Sequence, residues 1–436
     1  MTHGRSASRT VRVGGLARVE GEGALQIDVE DGELRSVQLQ IYEPPRFFEA
    51  FLRGRSYTEP PDITARICGI CPVAYQMSAC LAIEDALGAV IDEPLRQLRR
   101  LLYFGEWIES HTLHIYLLHA PDFLGYPGAI EMAGDHRGLV EQGLRLKKVG
   151  NEVIETVGGR AIHPVNVRVG GFYRVPTRED LRPLRSSLDE ALELAVATTN
   201  LVMSFEFPDF SHDHPYLALH NPDEYAVLGG RIASTSGLDA PVAGFGDHIR
   251  EEQVEWSTAL HAHLLEGAHY LVGPLARYAL NRAELGGLAG EMVASLGLPE
   301  VITNPFQSII VRAIEVVHAC EGAISVIDSY EPPPSPAVQL NPASAVGHGA
   351  SEAPRGLLYH RYELAQDGTI QDAVIVPPTS QNQSTIEHDL FAYVEEHLDE
   401  DDAQLVSGCE HLVRSYDPCI SCATHFLDAT VNRSPR

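Results

Sequence analysis

The prediction of fold and function depends most on nine residues near the C-terminus: Asp417-Pro418-Cys419-Ile420-Ser421-Cys422-Ala423-Thr424-His425. They bring two thiols, a carboxylate and an imidazole together in a chain that has only seven cysteines. A second group, Arg66-Ile67-Cys68-Gly69-Ile70-Cys71-Pro72, lies toward the opposite end of the sequence. If the two groups meet, nearly the whole chain serves to bring them together.

The two C-x-x-C pairs are a donor set for a soft metal. A three-residue spacing lets both sulfurs of a pair turn toward one ion, and thiolates select zinc, copper(I), iron–sulfur clusters or nickel over hard cations. From the spacing alone, structural zinc bound by four cysteines is the first choice. A thioredoxin-like redox pair is a weaker alternative, because neither pair lies in a βαβ pattern.

Composition limits the classes of protein that remain. The 436 residues are 44% hydrophobic, enough for a large core, which excludes disordered and collagen-like chains. A net charge of −28 argues against a nucleic-acid partner. No apolar run reaches the ~20 residues of a membrane span, and the N-terminus lacks a secretory signal. We therefore expect a cytoplasmic protein, and the odd cysteine count argues against a disulfide framework.

The apolar periodicity predicts an α+β fold that is mainly helical, with a central bundle of long buried helices and small β additions. Since no linker divides the chain, residues 1–436 are expected to form a single domain. Alternation around the Asp31-Gly32 turn predicts an N-terminal β region over residues 11–42. The other expected parts are a helical core over residues 66–330 and a β-hairpin over residues 355–376. Within these parts, helices are predicted at residues 46–52, 72–87, 94–119, 178–204, 251–280, 305–328, 385–398 and 409–416.

Pro72 suits the first turn of a helix, because its missing N–H costs nothing there. This places Cys71 at the helix N-terminus. Free backbone N–H groups and the helix dipole would favour a thiolate at that position.

The two cysteine motifs resemble the two signature motifs of the large subunit of nickel–iron hydrogenases. The resemblance extends over the whole chain, including Arg18-Val19-Glu20-Gly21 and Ala353-Pro354-Arg355-Gly356. The run from Cys68 to Ser78 is most similar to the cytoplasmic, bidirectional, NAD(P)-linked branch of sulfhydrogenase type. The implied activity is reversible heterolytic cleavage of hydrogen into protons and electrons.

The resemblance also implies a role for each cysteine. All four would bind nickel, with Cys68 and Cys419 as terminal ligands. Cys71 and Cys422 would bridge to an iron that carries carbon monoxide and cyanide. Glu20 corresponds to the glutamate that relays protons from a terminal cysteine; otherwise it would be an exposed strand residue.

Further polar residues acquire roles in the same way. Arg355 would lie over the open nickel–iron position, although a surface ion pair with Glu352 is the simpler interpretation. Asp122 and Asp417 would join Arg355 in a polar canopy above the metals, and Thr379 would donate a hydrogen bond to a cyanide. The proton base would be a terminal thiolate or Arg355, and the sequence does not choose between them.

Two predictions concern the ends of the site. Glu49 and His425 match the ligands of a nearby magnesium ion in the resembled family. Residues 426–436, which follow the metal motif at residues 417–425, match a tail that a maturation protease removes in many members. One departure is Tyr75, which stands where many members carry a histidine that bonds a bridging sulfur.

Electrons must leave through partners, because the four paired cysteines are already used as ligands. The resemblance implies a small subunit with iron–sulfur clusters and a diaphorase that exchanges electrons through flavin with NADP or NAD. This chain has no G-x-G-x-x-G opening a βαβ unit, so nucleotide binding is not predicted here. A hydrogen sensor would share every ligand. A core subunit of respiratory complex I would lack the four cysteines, and a zinc-stapled interaction protein would not explain Glu20, Arg355 or His425.

The remaining cysteines and histidines have simpler interpretations. Cys80 and Cys320 are expected in the core, and Cys409 at the start of a helix. A second metal site at His212-Asp213-His214, or at His111 with His114, is an open alternative. Because no further ligand pattern accompanies them, hydrogen-bonded histidines are the prediction.

Overall fold

The computed structural model describes residues 9–425, and helices outweigh strands within them, which confirms the predicted α+β class. The helices are α1 (Phe48–Leu52), α2 (Pro60–Thr64), α3 (Pro72–Ala86), α4 (Glu93–Leu113), α5 (Ala120–Phe123), α6 (Ala129–Asp135), α7 (Arg137–Gly158), α8 (Arg178–Met203), α9 (Phe245–His248), α10 (Pro274–Asn281), α11 (Gly287–Ser295), α12 (Ser308–Ser329), α13 (Pro378–Glu396), α14 (Asp402–Ser415) and α15 (Ile420–Ala423).

The strands form small antiparallel sheets around this helical core. They are β1 (Arg9–Val13), β2 (Gly23–Glu30), β3 (Glu33–Ile41), β4 (Val167–Arg168), β5 (Gly171–Phe172), β6 (Leu217–His220), β7 (Arg231–Ser234), β8 (Asp239–Ala240), β9 (Ile249–Glu252), β10 (His261–Leu264), β11 (Ala345–Ala353), β12 (Gly356–Leu364) and β13 (Ile370–Val376).

The long helices pack against one another as the sequence predicts. Helix α4 lies between α7 and α12, and α12 also packs on α8. Close approach of α4 and α7 depends on Gly105 and Gly150: a Cβ on Gly150 would lie 2.6 Å from the backbone nitrogen of Glu109. Helix α12 is apolar around most of its circumference, which is typical of a buried helix.

The N-terminal β region is also confirmed. Strands β1, β2 and β3 form one sheet in that order, and Asp31 and Gly32 adopt the positive φ angles of a tight turn. Leu25, Leu39 and their neighbours in register point into the core, because alternate residues of a strand face the same side.

A second sheet, β11-β12-β13, contacts helix α3 backbone to backbone. Gly347 and Gly349 on β11 make this possible: a Cβ on Gly349 would lie 2.3 Å from the backbone nitrogen of Ala82. The predicted hairpin over residues 355–376 is therefore right but incomplete, since β11 adds a third strand. Cys71 immediately precedes helix α3, and Arg355 lies two residues after β11, so this contact sets the distance between Cys71 and Arg355.

The helix predicted over residues 251–280 is wrong. Strands β9 and β10 pair there as a hairpin, and a helix begins only at Pro274, whose ring suits the first turn. Apolar residues alternate through Leu260, Ala262 and Leu264, which is the period of a strand rather than a helix. With β4 to β10 included, residues 66–330 are not helical throughout.

Several predicted helix boundaries move. Helix α13 begins at Pro378 and α14 at Asp402, both earlier than expected. The start of α14 is fixed by the Asp401 carboxylate, which accepts from the backbone N–H groups of Ala403 and Gln404. Cys409 consequently lies inside a helix rather than at its start. Helix α4 continues as a π-helix over His114–His119, and α7 was not predicted at all.

Two further expectations concern the ends of the chain and the membrane. The proposed maturation tail at residues 426–436 lies outside the described residues. Among residues 9–425, every helix is too short or too polar to cross a bilayer.

The glycine contact between α3 and β11 gives a first prediction. Gly349→Val should lower the free energy of unfolding by about 1–3 kcal/mol, because its side chain would overlap the backbone of α3. Val346→Ala, at a position 44% exposed on the same strand, should change stability by less than about 0.5 kcal/mol. Denaturation curves for both variants check this, and equal stabilities would contradict the close contact.

Candidate metal centre

The two cysteine motifs meet in the core. The Sγ atoms of Cys68 and Cys419 are 3.4 Å apart, those of Cys71 and Cys422 are 3.7 Å apart, and those of Cys419 and Cys422 are 2.9 Å apart. All four sulfurs lie within 4.8 Å of one another, and all four cysteines are buried free thiols. The convergence that the sequence analysis could only assume is therefore present.

Local backbone geometry presents the sulfurs. Cys71 is the N-cap residue of α3, as predicted, and Cys419 is the N-cap residue of the short helix α15. Asp417 has a φ of 54°, a left-handed conformation that is uncommon for a residue with a side chain. The turn at Asp417 ends the short segment after α14 and directs Cys419 into the core.

The N-terminus of α3 does not stabilise a thiolate in the way the sequence suggested. Its backbone N–H groups at Val73 and Ala74 donate to the carboxylate of Glu106, at 2.6 and 3.0 Å. The sulfur of Cys68 instead accepts from the N–H groups of Ile70 and Cys71, at 3.3 and 3.4 Å. Burial raises the pKa of Glu106 well above its usual value, despite these two bonds.

The thiols cannot all ionise without a compensating cation. Hydrogen bonds from Cys419, Cys422 and Cys71 hold the pKa of Cys68 well below its usual value. Burial, with the neighbouring thiols, raises the pKa of Cys419 well above its own. Four thiolates this close in a buried site repel one another, so the donor set fits cationic soft-metal ions.

An orphaned polar atom supports the same conclusion. The hydroxyl of Tyr75 is buried and has no hydrogen-bond partner within residues 9–425. Burial raises its pKa well above the usual range, and the nearby Cys422 and Cys71 raise it further. A buried polar atom without a partner commonly marks a missing ligand or water, and this hydroxyl can donate to a bridging sulfur.

Glu20 reaches the sulfurs from the N-terminal sheet region. Its Oε2 atom lies 3.1 Å from the Sγ of Cys419 and accepts from the N–H of Ser421 at 3.0 Å. Its backbone carbonyl accepts from the N–H of Ile420 at 2.9 Å. The neighbouring Gly21 has a φ of 90°, and a Cβ there would lie 2.7 Å from that of Ile420, so only glycine fits. The exposed-strand interpretation of Glu20 is therefore wrong.

Arg355 is buried and points toward the cysteines. Its Nε donates to the backbone carbonyl of Asp417 at 2.7 Å, and a terminal nitrogen donates to the Asp417 carboxylate at 3.0 Å. Burial opposes its charge, but Asp417 and the thiols Cys419 and Cys71 outweigh that effect and raise its pKa well above the usual value. The surface ion pair with Glu352 is wrong, because Glu352 is buried and pairs with Arg277.

Asp122 occupies a different position from the one predicted. One carboxylate binds Arg18, at 2.5 and 3.0 Å, and Arg414, with both bonds at 2.8 Å. The bonds to Arg18 and Arg414 occupy both carboxylate oxygens of Asp122, in place of the predicted contact with Arg355. Asp122 thus ties the Glu20 segment to the end of α14, next to the cysteine motif.

Thr379 lies beside the second cysteine motif. The Thr379 hydroxyl accepts from the N–H of Cys419 at 3.0 Å, which leaves its own hydrogen available.

The Nε2 of His425 is 2.9 Å from the Oε2 of Glu49. Glu251, which the sequence analysis missed, lines the same cavity, and burial raises its pKa to about 7 beside His425 and Glu49. Carboxylates and an imidazole form a donor set for a divalent cation there.

Arg277 is the most important positioning residue that the sequence analysis missed. Its guanidinium is fully buried and binds the Glu315 carboxylate at 2.7 and 2.8 Å. It also donates to the carbonyls of Ala353 and Pro354, at 2.8 and 3.0 Å, and so holds the turn that presents Arg355. No local sequence motif marks it, because its partners are distant in the chain.

Comparisons with known proteins agree with this geometry. Residues 46–135 and 258–425 match the family model described as nickel-dependent hydrogenase. The alpha subunits of sulfhydrogenases 1 and 2 from Pyrococcus furiosus are 35% and 33% identical, over 94% of this chain and 97% and 98% of theirs. A solved NAD+-reducing [NiFe]-hydrogenase in the H2-reduced state superimposes with a TM-score of 0.87 at 27% identity, over 96% of this chain and 100% of the other.

The buried ion-pair network yields a second prediction. Arg277→Lys should cost about 3–5 kcal/mol of unfolding free energy, because an ammonium cannot satisfy two carboxylates and two carbonyls together. Arg282→Lys is the matched control, since Arg282 follows α10 and is half-buried with weaker bonds to Tyr278 and Leu298. Chemical denaturation measures both, and a Lys variant at 277 as stable as its control would contradict the positioning role.

Proposed function

Since the chain belongs to the nickel-dependent hydrogenase family, as a catalytic large subunit of the nickel–iron type, we propose how its own residues divide the work of reversible hydrogen cleavage. Cys68, Cys71, Cys419 and Cys422 would hold a nickel–iron centre. The observation that supports this most strongly is the convergence of four buried free thiols within 4.8 Å, in contact with a carboxylate at 3.1 Å.

The centre, when bound, supplies a Lewis acid and an acceptor for the two electrons of hydrogen. The resemblance assigns Cys68 and Cys419 as terminal ligands and Cys71 and Cys422 as bridges. All four sulfurs lie within 4.8 Å of one another, and the shortest separation, 2.9 Å, joins Cys419 and Cys422, so this assignment rests on the resemblance. All four cysteines are buried, and Cys422 lies at the wall of the cavity that Glu49 and His425 also line.

The proton leaves through Cys419 and Glu20 in this proposal. The Sγ of Cys419 takes a proton and passes it to Oε2 of Glu20, over a separation of 3.1 Å. The N–H of Ser421 donates to the same oxygen and keeps the carboxylate aligned. Arg355 is the less favourable base, because two of its nitrogens already donate to Asp417, which favours the protonated guanidinium.

Arg355 and Asp417 form the polar canopy. The guanidinium, oriented by Asp417, can donate a hydrogen bond above the centre and stabilise charge that develops during cleavage. Thr379, whose hydroxyl accepts from Cys419, can donate its hydrogen to a cyanide ligand, as the family resemblance implies. Carbon monoxide and cyanide on the iron remain part of the proposal. Asp122 acts in it as a positioning residue for Arg18 and Arg414.

A magnesium ion between Glu49 and His425 belongs to the same proposal. The side chains are in contact at 2.9 Å, and Glu251 lines the cavity beside them. A divalent cation would neutralise these carboxylates and fix the C-terminal segment that carries Cys422. Hard cations prefer such oxygen donors, whereas nickel and iron match the thiolates.

The electrons pass to partner subunits. We propose a small subunit with iron–sulfur clusters and, by analogy with the NAD+-reducing relative, a flavin-containing diaphorase that uses NAD or NADP. Pyridine nucleotides as acceptors would place the enzyme in the cytoplasm. A maturation protease is a further proposed partner, acting on residues 426–436.

The activity itself is measured on the chain co-produced with its small subunit, as hydrogen oxidation by a viologen dye. We expect turnover that disappears when Cys419 or Cys68 is replaced by serine. Retained turnover in these variants would contradict the assignment of the centre to the four cysteines.

The proton route gives a third prediction. Glu20→Gln should keep nickel and iron but lower hydrogen oxidation by at least about 100-fold, because the amide cannot relay the proton. Glu22→Gln is the matched control: Glu22 lies two residues away, is exposed, and should leave turnover unchanged. Unaltered turnover in the Glu20 variant would remove this carboxylate from the route.

A further inference from the structure

A second cluster of metal-binding side chains lies apart from the cysteines. His212 and His214, in the loop after α8, converge on Asp389 in the middle of α13. The ligand atoms of the three residues lie within 4.8 Å of one another. The side chains are 2%, 6% and 1% exposed respectively, so this is a built site rather than a surface coincidence.

Hydrogen bonding orients His212 as a metal ligand. The Tyr216 hydroxyl donates its only hydrogen to the carbonyl of Ile302 at 2.6 Å. Its oxygen must therefore accept from Nε2–H of His212, at 3.0 Å. The other ring nitrogen, Nδ1, then faces Oδ2 of Asp389 from 2.7 Å, and because two lone pairs repel at this distance, either a second ring proton or a cation must lie between them. Metal-binding histidines are commonly fixed in this way, by an outer hydrogen bond that sets the tautomer.

The surrounding charges favour a cation. Asp389 pairs with histidines and with the Tyr416 hydroxyl, and within residues 9–425 no lysine or arginine forms an ion pair with it. The carboxylate of Asp213 lines the same cavity, which measures about 380 Å³ and opens to solvent. His388 and His269 lie at the rim of the cavity, with ring centroids 4.9 and 6.4 Å from that of His214.

Another cluster among residues 9–425, formed by His119, Asp122 and His411, has a different charge environment. Both oxygens of Asp122 are already bound by the guanidinium groups of Arg18 and Arg414. A divalent ion would be placed beside two positive charges there. The comparison singles out the cluster around Asp389.

We propose that His212, His214 and Asp389 bind a divalent transition-metal ion such as zinc, separate from the nickel–iron centre. Two imidazoles, one carboxylate and an open fourth position suit zinc, with metal–ligand distances of about 2.0–2.2 Å. The nitrogen–oxygen separations of 2.6 and 2.7 Å would widen to roughly 3.3 Å on binding.

A metal ion at this site would also affect the segment that leads into the second cysteine motif. Asp389 also accepts from the hydroxyl of Tyr416, the residue before Asp417. Asp417 holds Arg355, so an ion on Asp389 would restrain the segment that leads into the second cysteine motif. The bound ion would stabilise that segment by mass action, since it binds the folded state.

The proposal is tested on the nickel-loaded protein co-produced with its small subunit, in which the thiols are occupied. After dialysis against a chelator, excess Mg2+ is restored to occupy the site at Glu49 and His425. Zn2+ is then titrated, and bound zinc is measured by mass spectrometry. We expect a single additional zinc per chain and a higher unfolding temperature. His214→Gln and Asp389→Asn should weaken binding by at least about 100-fold, and Tyr216→Phe by about 10–100-fold.

His348→Gln is the matched control, because His348 also bonds a tyrosine hydroxyl, that of Tyr359, but lies on β11. Its zinc binding should equal that of the unchanged protein. Co2+ gives an independent readout on the unchanged chain: a nitrogen–oxygen site lacks the intense sulfur charge-transfer absorption of a cysteine site. Absent zinc uptake, uptake equal in His214→Gln and the unchanged protein, or a sulfur-type cobalt spectrum would overturn the proposal and leave a hydrogen-bonded histidine–carboxylate network.

Discussion

The structure depends on bringing four cysteine sulfurs, which repel one another when ionised, together in a buried space. Cys68 and Cys71 arrive on the loop and first turn of α3, and Cys419 and Cys422 on the last described turn of the chain. Such a cluster is unfavourable as four thiolates without cations, and favourable once soft-metal ions bind. The large helical core and the small sheets supply the rigidity that keeps the two motifs in place.

The polar residues around the cysteines also bind partners that are distant in the sequence. Arg277 fixes the turn before Arg355, Glu106 satisfies the N-terminus of α3, and Asp122 joins Arg18 to Arg414. Arg277 and Asp122 are charged and largely buried, so each needs its partner: losing one member of such a pair leaves an uncompensated charge in the core. Glu106 instead satisfies two backbone N–H groups, and burial raises its pKa well above the usual value. The geometry of the site therefore depends on the whole fold.

The sequence predicts those parts of this arrangement that depend on residues close together in the chain. The cysteine spacing, Pro72 and the Asp31-Gly32 turn correctly predicted the donor set, the start of α3 and the N-terminal hairpin. The helix predicted at residues 251–280 failed because short alternating strands and Pro274 were read as one helical period. Arg277, Glu106 and Glu251 were missed because their roles exist only through distant partners, and Asp122 was misplaced because a family motif does not specify its ion pairs.

The central claim is that the four cysteines hold a nickel–iron centre rather than structural zinc. The most direct measurement is metal analysis combined with infrared spectroscopy, on the chain co-produced with its small subunit. The account predicts one nickel per chain, iron in excess of nickel because the clusters of the small subunit also contain it, and the sharp absorption bands of carbon monoxide and cyanide bound to iron. Zinc in the four-cysteine site, with nickel absent and no such bands, would contradict it.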